Sequence, residues 1–353
     1  MKSLDWKTIP RPIVALSPMA DMTDSAFCRT VRSIAQPLNH STTSPLVVFR
    51  EMVSSEAVVR GNEKTLGMTD IHPDERPLVQ QLFGSDPDTM AEAARVIYEH
   101  HRPEAFDVNM GCPVYKIVHT FNGAALMKEP ARATQIVQRM RSVLPAHVPV
   151  SVKIRAGWSD PTECLEFAKV LEAAGADLIT VHGRTKVQGY AGKSDWARIK
   201  EVKQRVGIPV LANGDAHTAP LVMDALKATG CDGVLVARGA LGNPWIFAQC
   251  DDLLAGRPMR PVTLEERVRV VRMHARLHEA QYGPGSLRTF RKHLSWYFKG
   301  QPGAKHFREK LLQVSTLGEL SAILDGLMQK GGPEWASLVP SVTSPISSVH
   351  SSS

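Results

Sequence analysis

The sequence predicts an α/β protein, a (β/α)8 TIM barrel with a C-terminal all-helical domain. Three observations carry that expectation. Eight short β-rich runs follow one another between Ile13 and Gly239, helix-length segments lie between them, and from about Pro261 the pattern turns helical only. Most of the β runs are continuously apolar rather than alternating, as parallel strands buried on both faces should be.

In order, the runs are IVALSPM from Ile13, VVFREMV from Val47, PLVQQLFG from Pro77 and AFDVNMG from Ala105. VSVKIR from Val150, DLITVHGR from Asp177, IPVLANGD from Ile208 and GVLVARG from Gly233 complete the set. The helices between them carry start and stop signals. DPDTMAEAARVIYEH begins on capping residues, and PTECLEFAKVLEAAGAD opens on Pro and closes on Gly. DWARIKEVKQRVG and TAPLVMDALKATG also close on Gly. Eight such units fill about the 250 residues that a barrel needs. A doubly wound open sheet would place GxGxxG after its first strand, where this chain reads SPMADMTD.

Beyond the barrel, TLEERVRVVRMHARLHEAQYG, SLRTFRKHLSWYFKG, AKHFREKLLQV and TLGELSAILDGLMQ read as a small helical bundle. The expected division is residues 1–256 as barrel, 257–335 as helical domain and 336–353 as a disordered Ser/Pro/Val-rich tail. AQPLNHSTTSP, between Ile34 and Leu46, reads as an exposed loop.

Composition narrows the function. The 353 residues are 43% hydrophobic and 22% charged, ordinary for a globular protein. No apolar run approaches the roughly 18 residues of a membrane span, and MKSLDWKTIPRP lacks the apolar core of a signal peptide. Five scattered cysteines without a CxxC argue against disulfides, zinc or an iron–sulfur cluster, and fit the reducing cytoplasm. The net charge of +7 is uneven: residues 257–312 hold 13 Lys and Arg against 4 Asp and Glu, so the rest of the chain is close to neutral. Such a segment is either a polyanion-binding face or a solvated basic surface, and charge alone does not choose.

Barrels carry their chemistry at the carboxyl ends of strands. There the chain offers Pro18-Met19-Ala20, Gln80, Asn109 with Cys112, Lys153 with Arg155, and His182 with Arg184. Asn213-Gly214-Asp215 and Ala237-Arg238-Gly239 end the last two strands. No metal-spaced His/carboxylate set, carboxylate pair or GxSxG elbow is present. The glycine turns of strands seven and eight suit a phosphate, with Arg238 adding charge. A lysine in a barrel mouth needs an anion or an electron-rich ring, and a flavin fits, with Lys153 and His182 against its polar edge. Taken singly, each residue has a structural alternative: Lys153 paired with a carboxylate, His182 a core histidine, NGD a turn, Cys112 a small buried hydrophobe.

SPMADMTD, REMVS, QLFG, NMGCPVYKIV with GAALM, VKIRAGW, VHGRT with GYAGKSDW, IPVLANGD and RGALGNPWIF together resemble the bacterial tRNA-dihydrouridine synthases. The resemblance runs from Ile13 to Ile246 and resumes in RTFRKHLSWYFKGQPGAK. It implies a cytoplasmic FMN enzyme that reduces specific uridines of tRNA to 5,6-dihydrouridine at the expense of NADPH. Hydride goes from reduced FMN to C6, and Cys112 is the proton donor to C5. It assigns Pro18, Met19, Ala20, Gln80, Lys153, His182, Asn213, Gly214, Asp215, Ala237 and Arg238 to the cofactor. It assigns the basic helices to tRNA, with Arg288, Arg291, Lys292 and Lys299 as phosphate contacts and Trp296, Tyr297 and Phe298 as core. Neither a membrane nor a protein partner is implied. The loop after Cys112 departs from the pattern at Tyr115, His119, Thr120 and Phe121. Two rivals are an FMN barrel acting on a free pyrimidine, which leaves the basic bundle unexplained, and a non-catalytic tRNA-binding barrel, which leaves Cys112 and Lys153 unexplained.

Overall fold

A computed structural model describes residues 4–35, 45–299 and 304–330. All eight expected runs are strands of one closed parallel barrel: β1 Ile13–Leu16, β2 Val48–Ser54, β3 Leu78–Phe83, β4 Ala105–Met110, β5 Val150–Gly157, β6 Leu178–Thr185, β7 Val210–Asn213 and β8 Gly233–Val236. Closure is by β1 on β8, with Ile13 opposite Gly233 and Leu16 opposite Val236.

The helices form where the capping signals fall. Asp86 accepts the backbone N–H of Thr89 at 2.8 Å to start the helix Pro87–His101. Thr218 does the same for Ala219–Thr229, which ends on Gly230 at φ 63°. Outward-facing strand residues such as Leu78, Leu82, Phe106, Val108, Val150 and Val152 pack with these helices into one continuous core.

A second apolar cluster fills the lower lumen. Ile13, Ala15, Phe49, Val79, Ala105, Leu178, Leu211 and Leu235 come from seven of the strands, and the amino-terminal residues Leu4, Trp6 and Ile9 plug them from below. Trp6 stacks on Phe49 at 6.0 Å, and Arg11 ties the plug to the barrel through Asp232 at 2.7 Å.

The helical region has its own core. Helices Leu264–Tyr282, Leu287–Tyr297, Ala304–Leu311 and Leu317–Lys330 bury Val271, Ala275, Phe290, Leu294, Leu324 and Leu327 around Tyr297 and Phe298. Trp296 is partly buried and packs toward the barrel instead. The bundle sits on the first barrel helix, Ser25–Ala35, which contributes Ile34 to its core. Gln281 accepts the N–H of Ala26 at 3.0 Å, and Tyr282 donates to Asp24 at 3.2 Å. Most of the expected loop after Ile34 and the whole tail 336–353 lie outside the described residues. No helix among the described residues is long and apolar enough to cross a membrane.

Candidate active site at the barrel mouth

Side chains alternate along a strand, so the lower-lumen cluster fixes which residues point into the mouth. Two residues beyond Val79, Ala105, Leu178, Leu211 and Leu235 stand Gln81, Asp107, Thr180, Asn213 and Ala237; a further step reaches Asn109 and His182. Gln80 has the opposite parity. It is buried on the outer side, where its amide donates to the carbonyls of Glu51 at 3.2 Å and Gln81 at 3.1 Å. The expectation for Gln80 is therefore one residue out: Gln81 is the glutamine of the lumen. The doubled QQ hid the phase, because both are polar in a run that is otherwise apolar on both faces.

From Gln81 a polar chain leads to the cysteine. Ser151 Oγ and Gln81 Nε2 each donate to Asp107 at 2.6 Å. Asn109 Nδ2 donates to Gln81 Oε1 at 2.9 Å, and Asn109 Oδ1 accepts the backbone N–H of Cys112 at 2.9 Å and of Gly111 at 3.2 Å. The residue before the cysteine is thus fastened to the barrel wall through four side chains. Burial pushes Asp107 up to about 6, against the pull of Ser151 and Gln81.

Cys112 is half-buried, whereas the other four cysteines are fully buried. Burial raises its thiol above the ordinary value, so at neutral pH it carries its proton. The loop returns over it at Gly123, whose φ is +60° and where a Cβ would lie 2.9 Å from the Cys112 carbonyl oxygen and 3.0 Å from its Cβ. Only glycine allows that closeness.

Opposite stands a basic wall. Register sets Asn109 beside Lys153, Arg155 beside His182 and His182 beside Asn213. Lys153 forms no ion pair or hydrogen bond among the described residues; burial, then Arg155, brings its ammonium down to about 8. Arg155 donates through Nε to the carbonyl of Gly111 at 2.8 Å and through Nη1 to those of Thr185 at 2.9 Å and Gly189 at 2.8 Å. It pins the cysteine loop to the loop after β6. Arg184 donates twice to Asp215, at 2.8 and 2.9 Å, and reaches His182 Nε2 at 3.3 Å. Burial and the surrounding cations hold His182 well below its ordinary value, hence neutral, with Nδ1 left as the donor.

Asp215, at φ 59°, spends both oxygens on Arg184 and the N–H of Ser194, so it braces the rim. Asn213 donates to the Leu235 carbonyl at 2.6 Å, stapling β7 to β8. Gly214 has φ +109°, and a Cβ there would sit 2.5 Å from Ser194 Oγ and 2.7 Å from His182 Cδ2. Ala237 and Arg238 follow β8; Arg238 is exposed, without an ion pair among the described residues, its guanidinium 5.1 Å above the Tyr190 ring. Pro18, Met19 and Ala20 line the rim after β1. Met19 N–H donates to Thr23 Oγ1 at 2.9 Å, and Asp21 N–H donates to Glu51 at 2.7 Å.

The mouth therefore joins a protonated thiol, a neutral imidazole and three cations, Lys153, Arg155 and Arg238, without a carboxylate ion pair among the described residues. That set suits an anionic group below and a proton acceptor above. Val114, Tyr115 and Phe121 of the cysteine loop and Val187 and Tyr190 of the loop after β6 are exposed hydrophobics flanking the entrance.

On the bundle, much of the basic surplus is engaged internally. Arg257 and Arg260 pair with Asp252, Arg269 with Glu266, and Arg272 with Asp325. Arg291 donates to the carbonyls of Val314 and Gln313, both at 2.7 Å, which makes it a brace within the bundle. Arg288, Lys292 and Lys299 form no ion pair among the described residues, and Lys299 lies 4.8 Å over the Trp296 ring.

Several known proteins are similar to this chain. A relative from Mycobacterium leprae, named a probable tRNA-dihydrouridine synthase, is 37% identical over 360 residues, covering 92% of this chain and 94% of its own. A Synechocystis relative, probable tRNA-dihydrouridine synthase 1, is 38% identical over 315 residues, covering 88% and 85%. Among solved structures, a 2-naphthoyl-CoA reductase superposes with a TM-score of 0.55 at 12% identity, over 73% of this chain and 52% of that one, a likeness of fold. The sequence model of the family described as "Dihydrouridine synthase (Dus)" matches residues 14–330, which takes in both the barrel and the bundle; the chain belongs to the dihydrouridine synthase family.

Proposed function

We propose that the chain reduces uridines in tRNA to 5,6-dihydrouridine, with FMN in the barrel mouth, NADPH as reductant and Cys112 as proton donor. The observation that carries the reading is the pairing of a protonated, half-buried Cys112 thiol with an unpaired Lys153 in one mouth. The residues fit a flavin mononucleotide: Lys153 and Arg238 have no carboxylate ion pair among the described residues, and Gly214 keeps the backbone bare beside His182. Lys153, the His182 Nδ1–H and Gln81 would meet the polar edge of the ring, and Arg238 the phosphate. When bound, FMN supplies the hydride that goes to uracil C6.

The chain's own part is proton delivery and placement. Cys112 Sγ–H gives its proton to uracil C5, and burial keeps that proton in place at neutral pH. Asn109 and Arg155 hold the loop that carries the thiol, from opposite sides. The target base has to leave its stack to enter a barrel mouth, and the exposed Tyr115, Phe121 and Tyr190 offer apolar faces on its way in. The division into a catalytic barrel, 1–256, and a tRNA-binding helical domain, 257–335, follows, with Arg288, Lys292 and Lys299 as phosphate contacts. A cytoplasmic location goes with that substrate and with five free cysteines.

The test is an absorbance spectrum of the purified protein, then NADPH oxidation with and without unmodified tRNA. Bound flavin with tRNA-dependent dihydrouridine formation is expected. Flavin without a tRNA product would move the reading to a free pyrimidine, and a colourless protein that FMN cannot reconstitute would end it.

A further inference from the structure

We propose that Asp24, His274 and His293 bind one divalent transition-metal ion of the zinc class, clamping the helical bundle to the barrel. The three residues are remote in sequence and meet only here. Asp24 heads the first barrel helix, Ser25–Ala35, immediately after the Pro18–Thr23 rim; His274 belongs to the bundle helix Leu264–Tyr282 and His293 to Leu287–Tyr297. One ligand atom from each lies within 4.8 Å of the other two.

The nitrogens point to a missing partner. His274 and His293 are 0% and 1% exposed, yet His274 Nε2 and both ring nitrogens of His293 have no hydrogen-bond partner among the described residues. Buried polar atoms are rarely left in that state. The Asp24 carboxylate is also buried, and no Lys or Arg among the described residues pairs with it; the nearest basic group is His278, with Nδ1 3.6 Å from Oδ2. A cation bound by one carboxylate and two imidazoles gives one nitrogen of each ring a partner and neutralises the carboxylate.

The surroundings hold Asp24 and His274 as a metal site requires. His274 Nδ1 is 3.0 Å from Tyr297 Oη, and as the donor there it leaves the Nε2 lone pair for the ion. Asp24 Oδ1 accepts the N–H of Phe27 at 2.9 Å, and Oδ2 accepts from Tyr282 at 3.2 Å. Phe27 and Phe290 flank the imidazoles, with His274 at 4.7 Å from the Phe290 ring, and keep bulk water out. Two nitrogen ligands select against magnesium and calcium. Bonds of about 2.0–2.1 Å would draw the three atoms together to roughly 3.4 Å, with a water as fourth ligand.

The test uses the flavin-loaded full-length protein purified without chelator, its metal content measured by mass spectrometry. It is then stripped and titrated with Co2+ alone, read at wavelengths beyond the flavin bands. About one ion per chain is expected, with ligand-field absorption and a melting temperature about 5 °C higher than after stripping. His293→Phe, which keeps an aromatic ring in the same place, should lower Co2+ affinity at least tenfold, and Asp24→Asn should do likewise. A wild-type protein that retains no metal and answers Co2+ with neither absorption nor a melting shift would overturn the site, leaving a buried water as the partner of these nitrogens. Equal Co2+ binding by wild type and both variants would also overturn it. Neither readout depends on the uridine chemistry.

Discussion

The two halves of the barrel lumen are built from the same strands and differ in almost every physical respect. On β4 the sequence moves from Ala105 to Asp107 to Asn109; on β6 it moves from Leu178 to Thr180 to His182. Each step of two residues advances about 6.6 Å along the same face. Within two such steps the lining changes from close-packed hydrocarbon around Trp6 to a wall of cations. The lower half holds the barrel closed by packing hydrocarbon around Trp6. The upper half keeps Lys153 and Arg238 without a direct ion pair among the described residues, Asp107 acting on Lys153 only at longer range, an arrangement that costs stability and makes sense where a ligand supplies the anion.

That division predicts which substitutions damage which property. Cys112→Ala should slow tRNA reduction by about 10²–10⁴-fold while retaining flavin, measured by single-turnover dihydrouridine formation beside a flavin spectrum. Unchanged turnover would remove Cys112 as the acid. At the other end, Trp6→Ala should cost about 3–5 kcal/mol in denaturant unfolding and leave the turnover of the folded fraction alone. A catalytic defect without loss of stability would mean that the two halves are not independent.

The adjacent glutamines sharpen the comparison across the wall rather than along it. Gln81→Leu strips a hydrogen-bond partner from Asp107 and from Asn109, so it should cost about 1–3 kcal/mol and slow turnover by loosening the loop of Cys112. Gln80→Leu should leave turnover near that of the wild type. The reverse pattern would reverse the assignment of inner and outer faces.

The smallest effect is on pH. Lys153 titrates at about 8 in the folded protein against an ordinary 10.5, because burial disfavours its charge. Between those values the unfolded chain binds the extra proton, so stability of the ligand-free protein should rise with pH through that window. Chemical denaturation at pH 7.5 and pH 10 (a comparison of roughly the two ends of that window) should show the rise in wild type and a flatter response in Lys153→Met. Turnover has the opposite sign: Cys112 must keep its proton and Lys153 its charge, so activity should fall on the alkaline side.

The candidate site was legible in unequal measure. NMGCP by itself left Cys112 open to being a small buried hydrophobe, and its role came only from the resemblance of the surrounding motifs to a family. Lys153, His182 and Asn213 followed from counting strand ends. Asp215 and Arg291 were legible only as residue types. A carboxylate beside NG and an arginine on a basic helix look available in sequence, and in the fold Arg184 and the Val314 and Gln313 carbonyls occupy them.

By itself the sequence determined the eight strands, their order, the capped helices between them and the helical appendage. These depend on local propensity and on periodicities of a few residues, which a linear chain displays in full. Tertiary structure alone decided the phase of β3 and the meeting of Asp24 with His274 and His293. A strand buried on both faces carries no alternation to show which glutamine points inward. Three residues separated by some 250 positions have no shared pattern until two helices of the bundle close on the first helix of the barrel.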